Sequence, residues 1–93
     1  MTYLVVDQRV RDVAHWTAAF AGGAERRKAA GGEVVLVLTD PKEADRLLVI
    51  VRFESPEQAF GWRSRPGVEE EIAHGGVIAD SVQVRVLDEL PLP

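Results

Sequence analysis

A four-stranded antiparallel sheet with two helices on one face, an α+β fold in β-α-β-β-α-β order, is what this 93-residue sequence predicts. Three observations lead there. Four short segments are rich in Val and Leu, and two of the intervals between them open on strong helix-start signals. In the two middle segments the apolar residues also occupy both phases of the strand repeat.

Tyr3–Asp7 is short, apolar and β-branched, and reads as the first strand. Asp12 is a good N-cap for a helix running from Val13 to Ala30. Arg26, Arg27 and Lys28 fall in its last turn, where cations suit the carbonyl end of the dipole, and Gly31 supplies a left-handed stop. Glu33–Thr39 and Arg46–Phe53 are Val/Leu-rich strands, joined by a segment that begins with the turn signal Asp40-Pro41. The second helix opens with Ser55 as cap, Pro56 at the first helical position and Gln58 completing a capping box. It is expected to break near Arg65-Pro66-Gly67, resume through Val68–His74 and stop at Gly75-Gly76. Ser81–Asp88 alternates, with Val82, Val84 and Val86 on one face and Gln83 and Arg85 on the other, as a half-buried fourth strand does. Leu90-Pro91-Leu92-Pro93 cannot continue a ladder. Lengths agree with this layout: helix one would span ~27 Å and a strand of seven or eight residues ~25 Å, so one covers the other. The order is that of the ferredoxin-like split βαβ arrangement, and residues 1–93 are expected to form a single domain.

Composition narrows the classes. Eleven basic against fifteen acidic residues leave net −4, without the basic footprint expected of a nucleic-acid binder. Zero cysteines exclude a disulfide framework, thiolate-ligated metal and a thiol nucleophile. The longest apolar runs, Val34–Leu38 and Leu47–Val51, are far short of the ~20 residues needed to span a bilayer. The N-terminus carries no basic region or cleavage site, so no signal peptide and a cytoplasmic location are expected.

The middle strands carry an anomaly. Val34, Leu36 and Leu38 alternate with Val35 and Val37, and Leu47, Val49 and Val51 alternate with Leu48 and Ile50. Both faces of the sheet are then apolar, while the two helices can cover only one. A second copy of the chain, packed sheet on sheet, is the expected cover. The alternative is a single-faced sheet that tolerates aliphatics near its edge.

Three stretches resemble a known family. Val10-Arg11-Asp12-Val13-Ala14-His15-Trp16, followed by Phe20 and Arg27-Lys28-Ala29-Ala30-Gly31, resembles the first helix of small dimeric α/β-barrel proteins. Phe53-Glu54-Ser55-Pro56-Glu57-Gln58-Ala59-Phe60 is similar to their strand-three exit, and Gly75-Gly76-Val77 to the turn before strand four. That superfamily includes antibiotic-biosynthesis-type monooxygenases, polyketide cyclases, haem-degrading monooxygenases and muconolactone isomerases. The resemblance implies a homodimer with facing sheets and a ligand pocket between each sheet and its helices. Many similar chains have a His on the first helix where this one has Gly23, which removes His-dependent chemistry at that position.

The candidate site residues follow from helix geometry. Trp16, Phe20, Gly23 and Ala24 form an apolar stripe, and Arg27 lies within ~20° of Trp16 on it. An Arg facing a core needs a carboxylate, backbone carbonyls or an anionic ligand. Arg27 is therefore either an anion or enolate clamp at a pocket mouth, or a snorkelling residue paired with the helix dipole. Gly23 either opens room for a ligand or allows close helix packing. Tyr3, a phenol that could position or protonate a substrate near Arg27, faces either the helices or a partner sheet. His15 flanks the stripe, and His74 ends the second helix; a capping or solvent role competes with catalysis for both. Phe60 and Trp62 complete an aromatic wall with Trp16 and Phe20. Trp62 and His74 evoke the Trp and axial His of haem-degrading relatives, but the register differs and Pro66-Gly67 interrupts the helix between them. Glu69-Glu70-Glu71 reads as a solvated face. No phosphate loop, nucleophile elbow or His-Glu-x-x-His motif is present.

With that resemblance, the reading is a homodimeric protein that processes an apolar aromatic or polyketide-like molecule as a cofactor-independent monooxygenase or cyclase, with Arg27, Tyr3 and His15 as its polar groups. A non-catalytic binding or regulatory dimer is the alternative, and a haem-binding protein a minor one.

Overall fold

The computed structural model describes all 93 residues. Strands β1 (Thr2–Arg9), β2 (Glu33–Thr39), β3 (Arg46–Phe53) and β4 (Gln83–Asp88) form one antiparallel sheet in the order β2-β3-β1-β4. This is the ferredoxin-like arrangement. The connections carry α1 (Val13–Gly22), α2 (Ala24–Ala29), α3 (Pro56–Arg63) and α4 (Val68–His74), and a 3-10 turn at Ala79–Ser81 precedes β4. No helix is long and apolar enough to cross a membrane.

Local chemistry sets the element ends. The Asp12 carboxylate accepts from the His15 backbone N–H at 2.9 Å, and Ser55 Oγ accepts from the Gln58 N–H at 3.3 Å. The Gln58 side chain reaches back one residue further than a capping box requires, accepting from the Glu54 N–H at 3.0 Å. Gly67 starts α4 with φ +83, a left-handed conformation that costs other residues about 1–2 kcal/mol.

Three expected boundaries shift. The helix expected over Val13–Ala30 is two helices, because at Gly23 (φ −93, ψ 4) the amide closes a tight turn onto the Phe20 carbonyl at 3.1 Å. β1 is longer than expected at both ends, since Thr2, Gln8 and Arg9 also find ladder partners. The fourth strand starts later than Ser81, because Ser81 Oγ is engaged with the Ile78 carbonyl and the Arg9 N–H.

Cross-strand partners share a face, so the register assigns the sides. Thr2, Leu4, Val6 and Gln8 of β1 pair through Phe53, Val51, Val49 and Leu47 of β3, and these face the helices. The core there is Leu4, Leu47, Val49, Val51 and Phe53 with Val10, Trp16, Ala59 and Val77. Tyr3, Val5, Leu48 and Ile50 take the outer face. On β2 a bulge between Val34 and Leu36 resets the phase: Val34 pairs with Val51, but Leu36 pairs with Ile50 and Leu38 with Leu48. The expectation that Val34, Leu36 and Leu38 share one face is therefore corrected, because an extra residue in one strand flips everything after it. Both faces of the sheet remain apolar, and Leu36 is 49% exposed on the outer one.

Phe53 is fully buried whereas Phe60 is 59% exposed. Phe53→Ala is expected to lower the unfolding free energy by about 3–5 kcal/mol. Phe60→Ala should change it by less than about 0.5 kcal/mol. Urea denaturation of both variants checks the contrast.

Candidate functional site

A cavity of about 390 Å³ lies between the sheet and the helices. That volume falls within the range of small-molecule sites. Leu4, Val6, Val49 and Val51 form its floor, because they are the helix-facing phase of the two central strands. Trp16 and Phe20 of α1 stand over them, one helical turn apart, with stacked rings 4.7 Å between centroids. Trp62 of α3 and Ile72 of α4 close the far side.

Arg27 is set into this wall. It is only 7% exposed and takes part in no salt bridge, and its guanidinium lies 3.9 Å from the Phe20 ring centroid. Its one side-chain hydrogen bond runs from Nη2 to the Phe20 carbonyl at 2.7 Å. That carbonyl belongs to the last turn of α1, so the cation also meets the negative end of the helix dipole. Burial, and then the neighbouring Arg26 charge, hold the Arg27 pKa below the ordinary arginine value. Gly23 faces the two guanidinium groups, at distances a methyl group would also tolerate. A Cβ there would lie 3.4 Å from the Arg27 Nη2 and 3.5 Å from the Arg26 Nη2.

Further cations gather at the same rim. Arg26 and Arg65 both bond the Glu71 carboxylate, tying α2 and the α3–α4 connection to α4. The Arg65 guanidinium sits 3.5 Å from the Trp62 ring centroid and donates to the Trp62 carbonyl at 2.7 Å. Burial, with Arg26, Arg27 and Arg63 behind it, holds the Arg65 pKa below the ordinary arginine value. Arg63 bonds Glu69 at 3.3 Å.

The structure thus brings Trp16, Phe20, Gly23, Arg27 and Trp62 together on one cavity, and leaves three other candidates outside it. Tyr3 belongs to the outer phase of β1, where its hydroxyl donates to Glu89 at 2.8 Å. That hydrogen bond raises the phenol pKa. Strand parity puts Tyr3 and Arg27 on opposite sides of the sheet, so no phenol lines the cavity. The ring of His15 donates from Nε2 to the His74 carbonyl at 2.8 Å, clipping the start of α1 to the end of α4 outside the cavity. Phe60 points away on the solvent side of α3. His74 does line the cavity, as does Trp62. No three His, Asp or Glu side chains gather as a metal-ligand set.

Sequence reasoning passed over Gln8, Arg65 and Glu71. Gln8 is 6% exposed, lines the cavity and makes no side-chain hydrogen bond within the chain. Its signal was available: it shares the β1 phase of Leu4 and Val6, and a polar side chain on a core-facing phase needs a partner. Glu71 departs from the solvated face expected of Glu69-Glu70-Glu71: the run spans ~200° of the helix, and at its end Glu71 meets Arg26 and Arg65.

Comparison with known proteins bears on the fold. No family model matches the sequence, and no curated protein is significantly similar to it. A solved structure from Bordetella bronchiseptica, named as a putative antibiotic biosynthesis monooxygenase, superposes with a TM-score of 0.77 at 16% identity over 97% of both chains. Its namesake from Caulobacter crescentus gives 0.74 at 18% identity, over 97% of this chain and 90% of that one. A third of the same name, from Chloroflexus aurantiacus, gives 0.65 at 21% identity over 100% and 97%. This chain has their fold. The ferredoxin-like architecture read from the residue pattern is thereby matched over nearly the whole chain.

Since Gln8 has no partner within the chain, Gln8→Met should leave stability unchanged or raised within about 1 kcal/mol. Thermal and urea unfolding measure this, and a loss well above that figure would give the amide a structural bond.

Proposed function

We propose that the chain is a cytoplasmic homodimer whose sheet–helix cavity processes a planar, apolar aromatic or polyketide-like molecule, as a cofactor-independent monooxygenase. The observation that carries this reading is a cavity walled by Trp16, Phe20 and Trp62 with the buried Arg27 guanidinium set among the rings. The names of the structures that share its fold agree with the reaction class. Fold similarity is an analogy, so the chemistry rests on the cavity.

In such a reaction the substrate supplies the reducing power. An activated CH₂ flanked by aromatic rings loses a proton to solvent, and the carbanion passes an electron to O₂. Recombination forms a C–O bond, and loss of water from the resulting peroxide leaves a ketone, so that the carbon is oxidised by four electrons and O₂ reduced by four. The protein contributes shape, exclusion of water and a positive charge beside the developing enolate. Arg27 fills that last role. It is desolvated, held by Phe20 and uncommitted to any carboxylate.

Dimerisation rests on the outer face. Val5, Leu48, Ile50, Leu36 and Leu38 form an apolar patch across three strands, and the helices lie on the other side. The patch is framed by ion pairs: Arg46 with Asp7 at 3.1 Å, Arg9 with Glu43 at 2.7 Å, and Arg52 with Glu33 at 2.8 Å. An apolar centre with a polar rim is the anatomy of a protein interface, and a second copy offers the matching patch.

Two measurements test the proposal. Light scattering should give about 20 kDa, twice the 10.2 kDa chain, and Leu36→Glu should halve it while the circular dichroism is retained. A parent mass of about 10 kDa removes the dimer. With anthrone as probe, O₂ uptake should match formation of anthraquinone, and Arg27→Gln should slow turnover about 100-fold in a folded protein. Binding of planar aromatics without turnover in any variant favours the alternative, a non-catalytic binding or regulatory dimer.

A further inference from the structure

The charges of this molecule are divided in an unexpected way. The chain as a whole is net −4, yet four of its nine arginines, Arg26, Arg27, Arg63 and Arg65, line one cavity. Against them stand only two carboxylates, Glu71, which Arg26 and Arg65 share, and Glu69, which Arg63 takes at the outer edge. The rim therefore carries a surplus of two positive charges, one of them on a residue 93% removed from solvent. Of the five arginines away from the cavity, Arg9, Arg46 and Arg52 on the outer sheet face each have a carboxylate partner, while Arg11 and Arg85 have none.

A buried guanidinium held only by a backbone carbonyl and a ring face has N–H groups left over. The Phe20 carbonyl takes one Nη2 hydrogen, and Arg27 makes no other side-chain hydrogen bond. Stacking on Phe20 and Trp62 also pins the Arg27 and Arg65 heads, so little rotamer freedom is lost when they bind. Pinned, desolvated guanidinium groups beside aromatic walls match a flat ring system bearing a carboxylate, because the fork accepts two oxygens in one plane.

We infer that the cavity takes its ligand as an anion, a planar aromatic acid whose carboxylate seats on Arg27 while the rings lie among Trp16, Phe20 and Trp62. This rests on the reading of the cavity as the ligand site and specifies what enters it. Glu71 has a part in it as a competitor. It occupies Arg26 and Arg65 in the free protein, so a ligand carboxylate gains those cations only where Glu71 yields them.

The test compares 2-naphthoate with its neutral isostere 2-naphthamide by calorimetry at low salt, with quenching of Trp16 and Trp62 as a second readout. Naphthoate is expected to bind about ten- to a hundred-fold more tightly than the amide, the worth of one charged hydrogen-bonded contact. The preference should shrink as salt is added. Arg27→Gln should abolish it, bringing the two affinities together, and Glu71→Gln should strengthen naphthoate binding, an opposite change that a purely structural role would not produce. Equal binding of the two probes to the parent protein overturns the inference and leaves the cavity reading standing, with charge arising only during reaction. A preference that survives Arg27→Gln overturns it as well. If neither probe binds, the cavity reading falls and this inference with it.

Discussion

Side-chain parity along β1 and β3 is the constraint on which the rest of this molecule depends. With a period of two, Leu4, Val6 and Gln8 must face one way while Tyr3, Val5 and Asp7 face the other, and β3 follows through its register. One phase makes the floor of a cavity and the anchor of the helices. The other makes an apolar patch with no helix above it. A one-residue slip would exchange the two sets, sending Asp7 and Arg46 into the core. Phe53, fully buried at the end of the helix-facing phase, makes such a slip expensive.

The helices read this floor without filling it. α1 brings two stacked aromatic rings over the sheet, and α3 and α4 stand on the opposite flank. Between them the packing is incomplete, and cations collect at the gap because α2 and the α3–α4 connection both end there. Cations at the end of a helix suit its dipole, so their position has a local cause. Their number exceeds what that cause requires.

Much of the fold was legible because it is written in local chemistry. Asp12, Ser55-Pro56 and Gly31 announce helix ends, and alternation announces β4, since these signals act within a few residues. What could not be read depends on pairing between strands or on the geometry of a turn. The bulge between Val34 and Leu36 exists only relative to β3, and nothing in the run Val34–Leu38 marks it. Gly23 lies in the middle of an otherwise continuous helical pattern, where a glycine is often tolerated, and the turn it closes becomes visible only when the Phe20 carbonyl is seen. In the candidate site, the stripe of Trp16, Phe20, Gly23 and Arg27 was legible from helical spacing alone. Tyr3 required the parity of β1 to be fixed by its neighbours, and the sharing of Glu71 between Arg26 and Arg65 joins three separate elements. Such many-body contacts leave no periodic trace.

The bulge in β2 has a consequence beyond phase. β2 is an edge strand, and its run of five aliphatic residues is the kind of segment that recruits further strands without limit. A fibril needs an evenly spaced row of free amides and carbonyls along that edge. The inserted residue breaks the spacing and adds local twist, so an incoming strand could match only part of the row. A sequence that must keep aliphatics on both sides of a sheet has in this irregularity a guard against open-ended polymerisation, leaving closed pairing across the sheet face as the association it permits.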